Sequence, residues 1–184
     1  MSLFENSLHI PSRTFYLGGS ITEKKAQEIV EGLHILAHKA RNQPIHIIIS
    51  SFGGEVDAGL GIYDAISLSP CPTVATIFGP CQSMALIILQ ACDTRLASPN
   101  STLMMHSGAV STSKVHTLEF IENAKEFQRQ NDHIDQLFSM HTGLSLAKIK
   151  ELSKFATYFT PKEAIKHGLL DGIISRKFKG KRHK

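Results

Sequence analysis

The chain has few cysteines, and they are not spaced for a disulfide framework. Cys71, Cys81 and Cys92 lie ten and eleven residues apart, so there is no CxxC pair and the count is odd. Secreted domains that depend on disulfides usually carry an even set of cysteines, and metal sites usually use closely spaced pairs. We therefore expect a reducing, cytoplasmic setting and no metal centre.

Long apolar runs are also missing. No apolar stretch reaches the length needed to span a bilayer, and the start, Met1–Asn6, lacks a basic region followed by an apolar one. The 184 residues are 42% hydrophobic, which is enough for one domain with a substantial core. We expect a single soluble domain that is not secreted and has no membrane partner.

Positive charge is scarce outside the last few residues. Residues 176–184 contain six lysines and arginines and no acid, which leaves fourteen basic and sixteen acidic residues elsewhere. The formal net charge of +4 is therefore a property of the tail. Such tails are most often solvated ends. We expect a domain over residues 1–175, a basic tail over 176–184, and no nucleic-acid partner.

Strand-type and helix-type patterns alternate along the chain. β-branched runs that end at glycine, serine or proline are followed by segments with apolar residues at three- and four-residue steps. Capping boxes are indicated at Ser20–Glu23 and at Thr160–Glu163. The alternation predicts an α/β fold with a mostly parallel sheet. Strands are predicted at residues 14–17, 45–49, 73–78, 95–97, 102–106 and 168–174, and helices near 23–40, 56–66, 84–91, 115–141, 146–155 and 161–167.

A candidate nucleophile lies at the junction of a predicted strand and a strongly apolar helix. Ser83 follows the run Thr73–Phe78 and precedes Met84–Ala91, which is apolar on every face. At a helix start, free N–H groups and the helix dipole favour negative charge nearby. On this segment alone, an ordinary serine N-cap is the commoner explanation.

Two further features belong to the chemistry of a serine nucleophile. His106 ends a predicted strand and is a candidate base, although most histidines at such places are structural. Gly53-Gly54 ends an earlier strand, where backbone without a Cβ can approach a substrate and present an N–H. The N–H of Met84 is a second candidate oxyanion donor.

The order and spacing of these segments resemble the ClpP family of self-compartmentalising serine peptidases over nearly the whole chain. The resemblance is carried by several motifs. They are Ile49–Gly54, Ala58–Asp64, Gly79–Ala85, Ser98–Ser101 with Met104–His106, His141–Gly143, and Glu163-Ala164 with Gly168–Asp171. Phe52 stands where the family usually has proline, and Pro80–Gln82 replace residues that are mostly alanine.

The resemblance implies a ClpP/crotonase-like single domain with a protruding handle at about residues 107–141. It assigns Ser83 as nucleophile, His106 as base, and Gly54 and Met84 as oxyanion donors. It places Gly53, Gly108, Ala109 and Val110 along the bound peptide. It further implies endopeptide hydrolysis of unfolded proteins inside heptameric rings stacked as a tetradecamer, a separate ATP-dependent AAA+ unfoldase as partner, and no cofactor in this chain.

One member of the expected catalytic triad is missing. Counted back without a gap from Gly168, the family's triad aspartate falls on Ala156. Three alternatives follow: Thr157 or a water orients His106, an acid arrives from elsewhere or from another subunit, or the chain is nearly inactive. The resemblance places Asp171 as a structural residue, so it is not the substitute.

Three rival functions remain open at this point. The first is an inactive scaffold subunit that completes a ring with an active paralogue, which Ala156 would explain. The second is a crotonase-type acyl-CoA enzyme, because the fold is shared, although the pairing of Ser83 with His106 has no role there. The third is a serine–lysine peptidase, for which Lys114 is the nearest candidate base.

Overall fold

A computed structural model describes residues 7–108 and 117–175 of the chain. The strands in these segments are β1 Leu8–His9, β2 Thr14–Ile21, β3 Ile45–Gly54, β4 Thr73–Gln82, β5 Thr94–Ala97, β6 Thr102–Met105, β7 Thr157–Phe159 and β8 Gly172–Ile173. The helices are α1 Glu23–Lys39, α2 Val56–Ser67, α3 Met84–Gln90, α4 Thr117–Thr142, α5 Leu146–Ser153 and α6 Pro161–Lys166, with a 3-10 turn at Ile10–Ser12.

The strands form one mixed sheet whose centre is parallel. Its order is β1-β2-β3-β4-β5-β8, and β6 adds to β4 and to β7. Only the pairs β1–β2 and β6–β7 are antiparallel among the described strands. This architecture confirms the predicted α/β fold with a mostly parallel sheet. None of the described helices is both long and apolar enough to cross a membrane.

The core lies between the sheet and its helices. In β3 the buried positions alternate, and Ile45, Ile47 and Ile49 are all nearly inaccessible to solvent. The helix α1 buries one face, whereas every residue of α3 is buried. A helix that is apolar all round belongs in a protein interior, as its sequence predicts.

The predicted ends of three strands were wrong, and β4 runs through Gln82 and not only to Phe78. β2 and β3 continue through Gly18-Gly19 and through Ser50–Gly54, where turns were expected, and the register of the pair shifts between Gly18 and Ser20. Pairing with the neighbouring strands continues past these glycines, although Gly19 and Gly53 have positive φ values, and sequence alone does not show this. As a result the N-cap of α1 is Thr22, two residues after the predicted cap Ser20, and its side chain accepts the capping bond from the N–H of Lys25.

In the second half of the chain, one predicted helix cap is confirmed and the strand predictions were partly wrong. The capping box of α6 is present as predicted, between Thr160 and Glu163. The last strand is only β8, because Gly168 has φ +70° and ends α6 in a turn. The short strands β1 and β7 were not predicted, since two or three residues give no detectable alternation. The expected basic tail at 176–184 lies outside the described residues.

Candidate active site

Ser83 occupies a sharp turn between β4 and α3. Its backbone has φ +53° and ψ −127°, which is rare for a residue with a side chain, and its hydroxyl makes no capping bond to α3. The turn is held from both sides, because the Ser83 N–H donates to the carbonyl of Met104 at 2.9 Å and the Ser83 carbonyl accepts from Leu86. Ser83 is therefore not an ordinary N-cap, and the turn presents its hydroxyl away from the helix, as in a nucleophile elbow.

The sheet forks at this point and brings a histidine to the serine. The first part of β4 pairs with β5 and its last part, Pro80–Gln82, pairs with β6, with Gly79 at φ +88° between the two. Because Gln82 is paired with Met104, the residues that follow each strand are neighbours. The distance from His106 Nε2 to Ser83 Oγ is 2.9 Å.

This distance is that of a hydrogen bond between a hydroxyl and an imidazole. Both side chains are partly accessible, so the pair is open to a substrate. With the proton on Nδ1, the ring accepts from the serine hydroxyl and is placed to take its proton. The structure thus brings together two residues that are separated by 23 positions in the chain.

The end of β3 passes close to the serine turn. A Cβ built on Gly53, at φ +101°, would lie 2.7 Å from Ser83 Cβ and 3.1 Å from the nitrogen of Met84. Glycine is required there because any side chain would collide with the turn. The neighbouring Gly54 is exposed and follows directly, so the predicted oxyanion donors Gly54 and Met84 lie on the two segments that meet at Ser83.

The predicted peptide-binding residues after His106 are only partly described. The N–H of Gly108 donates to Asn131 Oδ1 on α4 at 3.0 Å. In the described residues it is therefore engaged with the helix and not with an extended strand. Ala109, Val110 and Lys114 lie outside the described residues, so their predicted roles stay predictions.

No acid stands at the position expected for the triad aspartate. β6 and β7 are antiparallel with Met105 opposite Thr157, and continuing this register by one residue sets Ala156 opposite His106. Within residues 7–108 and 117–175, Ser83 is the one residue that hydrogen-bonds to the His106 ring. Asp171 instead forms an ion pair with Arg95, with 2.6 Å between Asp171 Oδ1 and Arg95 Nη2.

A narrow cavity lies beside the serine and contains a carboxylate that sequence reasoning missed. Asp135 on α4 is 9% exposed and accepts a hydrogen bond from Ser153 Oγ at 3.3 Å. Burial raises the pKa of the Asp135 carboxyl above its usual value, opposed by Ser153 and by Lys150. Its position four residues after Asn131 and three before the buried Phe138, on the inner face of the helix, was the available signal.

Cys81 is not a rival nucleophile, although it lies in the same segment. The thiol is fully buried, and that burial raises its pKa far above the usual range. The thiol therefore stays protonated and inert at neutral pH.

Comparison with known proteins agrees with the geometry of the site. The chain is 31% identical over 169 residues to an ATP-dependent Clp protease proteolytic subunit of Deinococcus radiodurans, covering 91% of this chain and 82% of the relative. It is 32% identical over 173 residues to the subunit of the same name in Dehalococcoides mccartyi, covering 92% and 86%.

A solved structure is similar as well. A single-residue mutant of ClpP1 from Listeria monocytogenes superposes with a TM-score of 0.83 at 28% identity, covering 91% of this chain and 94% of that one. A sequence model described as Clp protease matches residues 6–177. The chain belongs to the Clp protease family.

Proposed function

We propose that the protein is a serine-type endopeptidase subunit that hydrolyses peptide bonds of unfolded proteins through an acyl-enzyme on Ser83. The observation that carries the proposal is the 2.9 Å contact between Ser83 Oγ and His106 Nε2 at the fork of the sheet. The names of the relatives, which are proteolytic subunits of an ATP-dependent protease, support it and do not favour a scaffold or an acyl-CoA enzyme.

The chemistry follows from the positions of these groups. As Ser83 Oγ attacks the scissile carbonyl carbon, its proton passes to His106 Nε2, and the carbonyl oxygen becomes an oxyanion. The N–H groups of Gly54 and Met84 stabilise that oxyanion. When the C–N bond breaks, the leaving amine takes the proton from His106. A water then attacks the acyl-enzyme with the same histidine as base, which releases the acid and restores Ser83.

Turnover is slow in this proposal because His106 lacks an acid opposite it. The aspartate of a serine-protease triad holds the imidazole tautomer and stabilises the imidazolium, and its loss lowers turnover about 10⁴-fold. Ala156 provides neither effect, since a methyl group accepts no hydrogen bond. Acylation of Ser83 remains feasible, because substrate binding and the oxyanion donors still accelerate the reaction without the aspartate.

We further propose that the subunit works in heptameric rings, stacked as a tetradecamer, with a separate AAA+ unfoldase in the cytoplasm. Membership of the family implies a ring oligomer that works with such an unfoldase. In this chain α4 supports it, because Phe120, Ile121 and Met140 are large apolar residues exposed on one 26-residue helix. Phe120 and Ile121 are adjacent in the chain, and contiguous exposed apolar surface is typical of an interaction site. The helix fits the handle expected at about residues 107–141, which would pack between rings.

The nucleophile is tested by active-site labelling. A fluorophosphonate probe should form one adduct per chain at Ser83, located by mass spectrometry of the digested protein. The adduct should be absent in Ser83→Ala, and its rate of formation should fall about 10²- to 10⁴-fold in His106→Ala, since the general base is lost. Absence of any adduct from the folded wild-type protein would overturn the proposal in favour of an inactive scaffold.

The assembly is tested separately. Analytical ultracentrifugation should give the mass of a ring or a double ring of the 20.3 kDa chain. A charged substitution on the exposed apolar part of α4, such as Ile121→Glu, should reduce the double ring to single rings. A monomer at micromolar concentration would contradict the proposed assembly without bearing on Ser83.

A further inference from the structure

We propose that Asp135 makes the enzyme select a positively charged side chain, lysine or arginine, at the substrate residue whose carbonyl is cleaved. The inference rests on Ser83 being the nucleophile and adds a specificity to that site. It is drawn from the cavity beside the serine, whose lining includes Ser83, Met84, His106, Asn131, Asp135 and Phe138.

The position of the cavity identifies what enters it. Ser83 and His106 form part of its wall, and Gly108 and Asn131 form another part. A peptide whose carbonyl carbon lies at Ser83 Oγ carries the adjoining side chain within a few ångströms of that wall. The side chain nearest the cleaved bond therefore occupies this cavity.

Most of the lining suits an unbranched aliphatic stem. Val56, Met84, Ile134 and Phe138 supply apolar walls, and the cavity between them is narrow. Lysine and arginine bury their methylene stems along such surfaces while the charged end seeks a polar partner. The methionine wall is flexible and adapts to an entering chain.

Asp135 is the partner that such a charged end requires. Its carboxylate lines the cavity and is 9% exposed, and among the described residues the side-chain hydrogen bond that it accepts comes from Ser153. Within residues 7–108 and 117–175 no cation lies within 4.0 Å of it, and the ammonium of Lys150 instead pairs with the exposed Asp132 at 2.7 Å.

A buried carboxylate without a cation in contact is unfavourable, because the hydrogen bond from Ser153 replaces only part of the hydration that burial removes. An ammonium or guanidinium at the end of the cavity would supply the missing charge. A neutral leucine side chain would fill the apolar part but leave Asp135 uncompensated. The cavity therefore discriminates by charge as well as by shape.

Asp135 does not serve as the absent triad acid. An acid in that role hydrogen-bonds to the ring nitrogen that faces away from the serine. In the part of the chain that the structure describes, Asp135 bonds to Ser153 and not to His106. Its effect is expected on the choice of substrate and not on the activation of Ser83.

The test compares two irreversible phosphonate peptides that differ only in the side chain at the cleaved position, lysine in one and leucine in the other. The second-order rate of inactivation should be at least about tenfold higher for the lysine compound in the wild-type protein. In Asp135→Asn, which keeps the size of the side chain, that ratio should fall by about tenfold or more. In Asp135→Leu the preference should reverse to leucine.

A matched control and a separate readout keep this inference distinct from the proposed function. Glu126→Gln removes an exposed acid from the same helix, outside the cavity, and should leave the ratio unchanged. The rate with a simple fluorophosphonate, which places no side chain in the cavity, should be equal in the wild-type protein and in Glu126→Gln. If that probe labels Ser83 but the wild-type ratio is one or below, the charge selection is wrong and the peptidase stands. If that probe never labels the wild-type protein, the proposed function itself is wrong.

Discussion

Met105 and Thr157 face each other in the antiparallel pair of β6 and β7, and they are the last pair of that ladder before His106 and Ala156. Side chains of directly opposite residues project from the same face of a sheet. If the register continued by one residue, Ala156 would face His106, and we expect its methyl group where the carboxylate of the family's triad would lie.

The first prediction restores that carboxylate. Ala156→Asp should raise kcat for a fluorogenic peptide, by up to about 10⁴-fold, because an aspartate holds the productive tautomer and stabilises the imidazolium. Ala156→Asn is the matched control, since its amide has a similar size but no charge, and it should give little gain. Equal activity in both variants and the wild type, with Ser83 still labelled, would show that another group orients His106.

The second prediction concerns the contact between β3 and the serine turn. Gly53→Ala would place a Cβ 2.7 Å from Ser83 Cβ, so it should lower the labelling rate of Ser83 by about tenfold or more. Gly61→Ala is the control, because a Cβ at that helical position meets nothing within 4 Å. The control should keep full labelling and stabilise the fold by about 0.5–1 kcal/mol. Full labelling of Gly53→Ala would mean that the turn has room to shift.

The third prediction is a pH dependence of stability. The guanidinium of Arg95 holds the pKa of Asp171 below its usual value, so this carboxylate stabilises the fold above about pH 4 and the contribution is lost as pH falls through the lowered folded pKa. Asp171→Asn should lower the free energy of unfolding at pH 7 by about 1–2 kcal/mol, a modest value because the pair is partly exposed.

The same difference should disappear near pH 2, and urea unfolding at both values measures it. Glu126→Gln is the comparison, since the partner pair Glu126 and Arg129 is exposed and its loss should not move the midpoint. A pH-independent effect of Asp171→Asn would assign its role to shape and not to charge.

The fourth prediction concerns thiol reactivity. All three cysteines are free and buried, and burial raises the pKa of Cys92 to about 12 and that of Cys81 further. Thiol reagents attack the thiolate, so no cysteine should react within minutes at pH 8, whereas all three should react in denaturant. One fast-reacting thiol in the native protein would show that part of the core opens readily.

The sequence predicted the features that depend on local pattern. β-branched runs gave the parallel strands, and the placement of Ser83 and His106 after two of them suggested a meeting at one edge. The backbone conformation of Ser83 could not be predicted. Its positive φ is imposed by the pairing of β4 with β6, and no residue pattern in the sequence indicates it.

The features that could not be predicted from the sequence depend on tertiary contacts. Asp135 has the appearance of a solvated helix residue until α4 packs over the serine, and three-residue β7 exists only because β6 lies beside it. The extension of β3 through Gly54 is set by its partner strands in the same way.

The fork of β4 places the nucleophile and its base within one continuous stretch, Thr73–His106, whereas Ala156 lies about fifty positions after His106, just before β7. Assembly of the reacting pair is thus independent of the segment that would supply an acid. One substitution can therefore add or remove that acid without changing the central sheet. The rate of catalysis can vary while the fold stays the same.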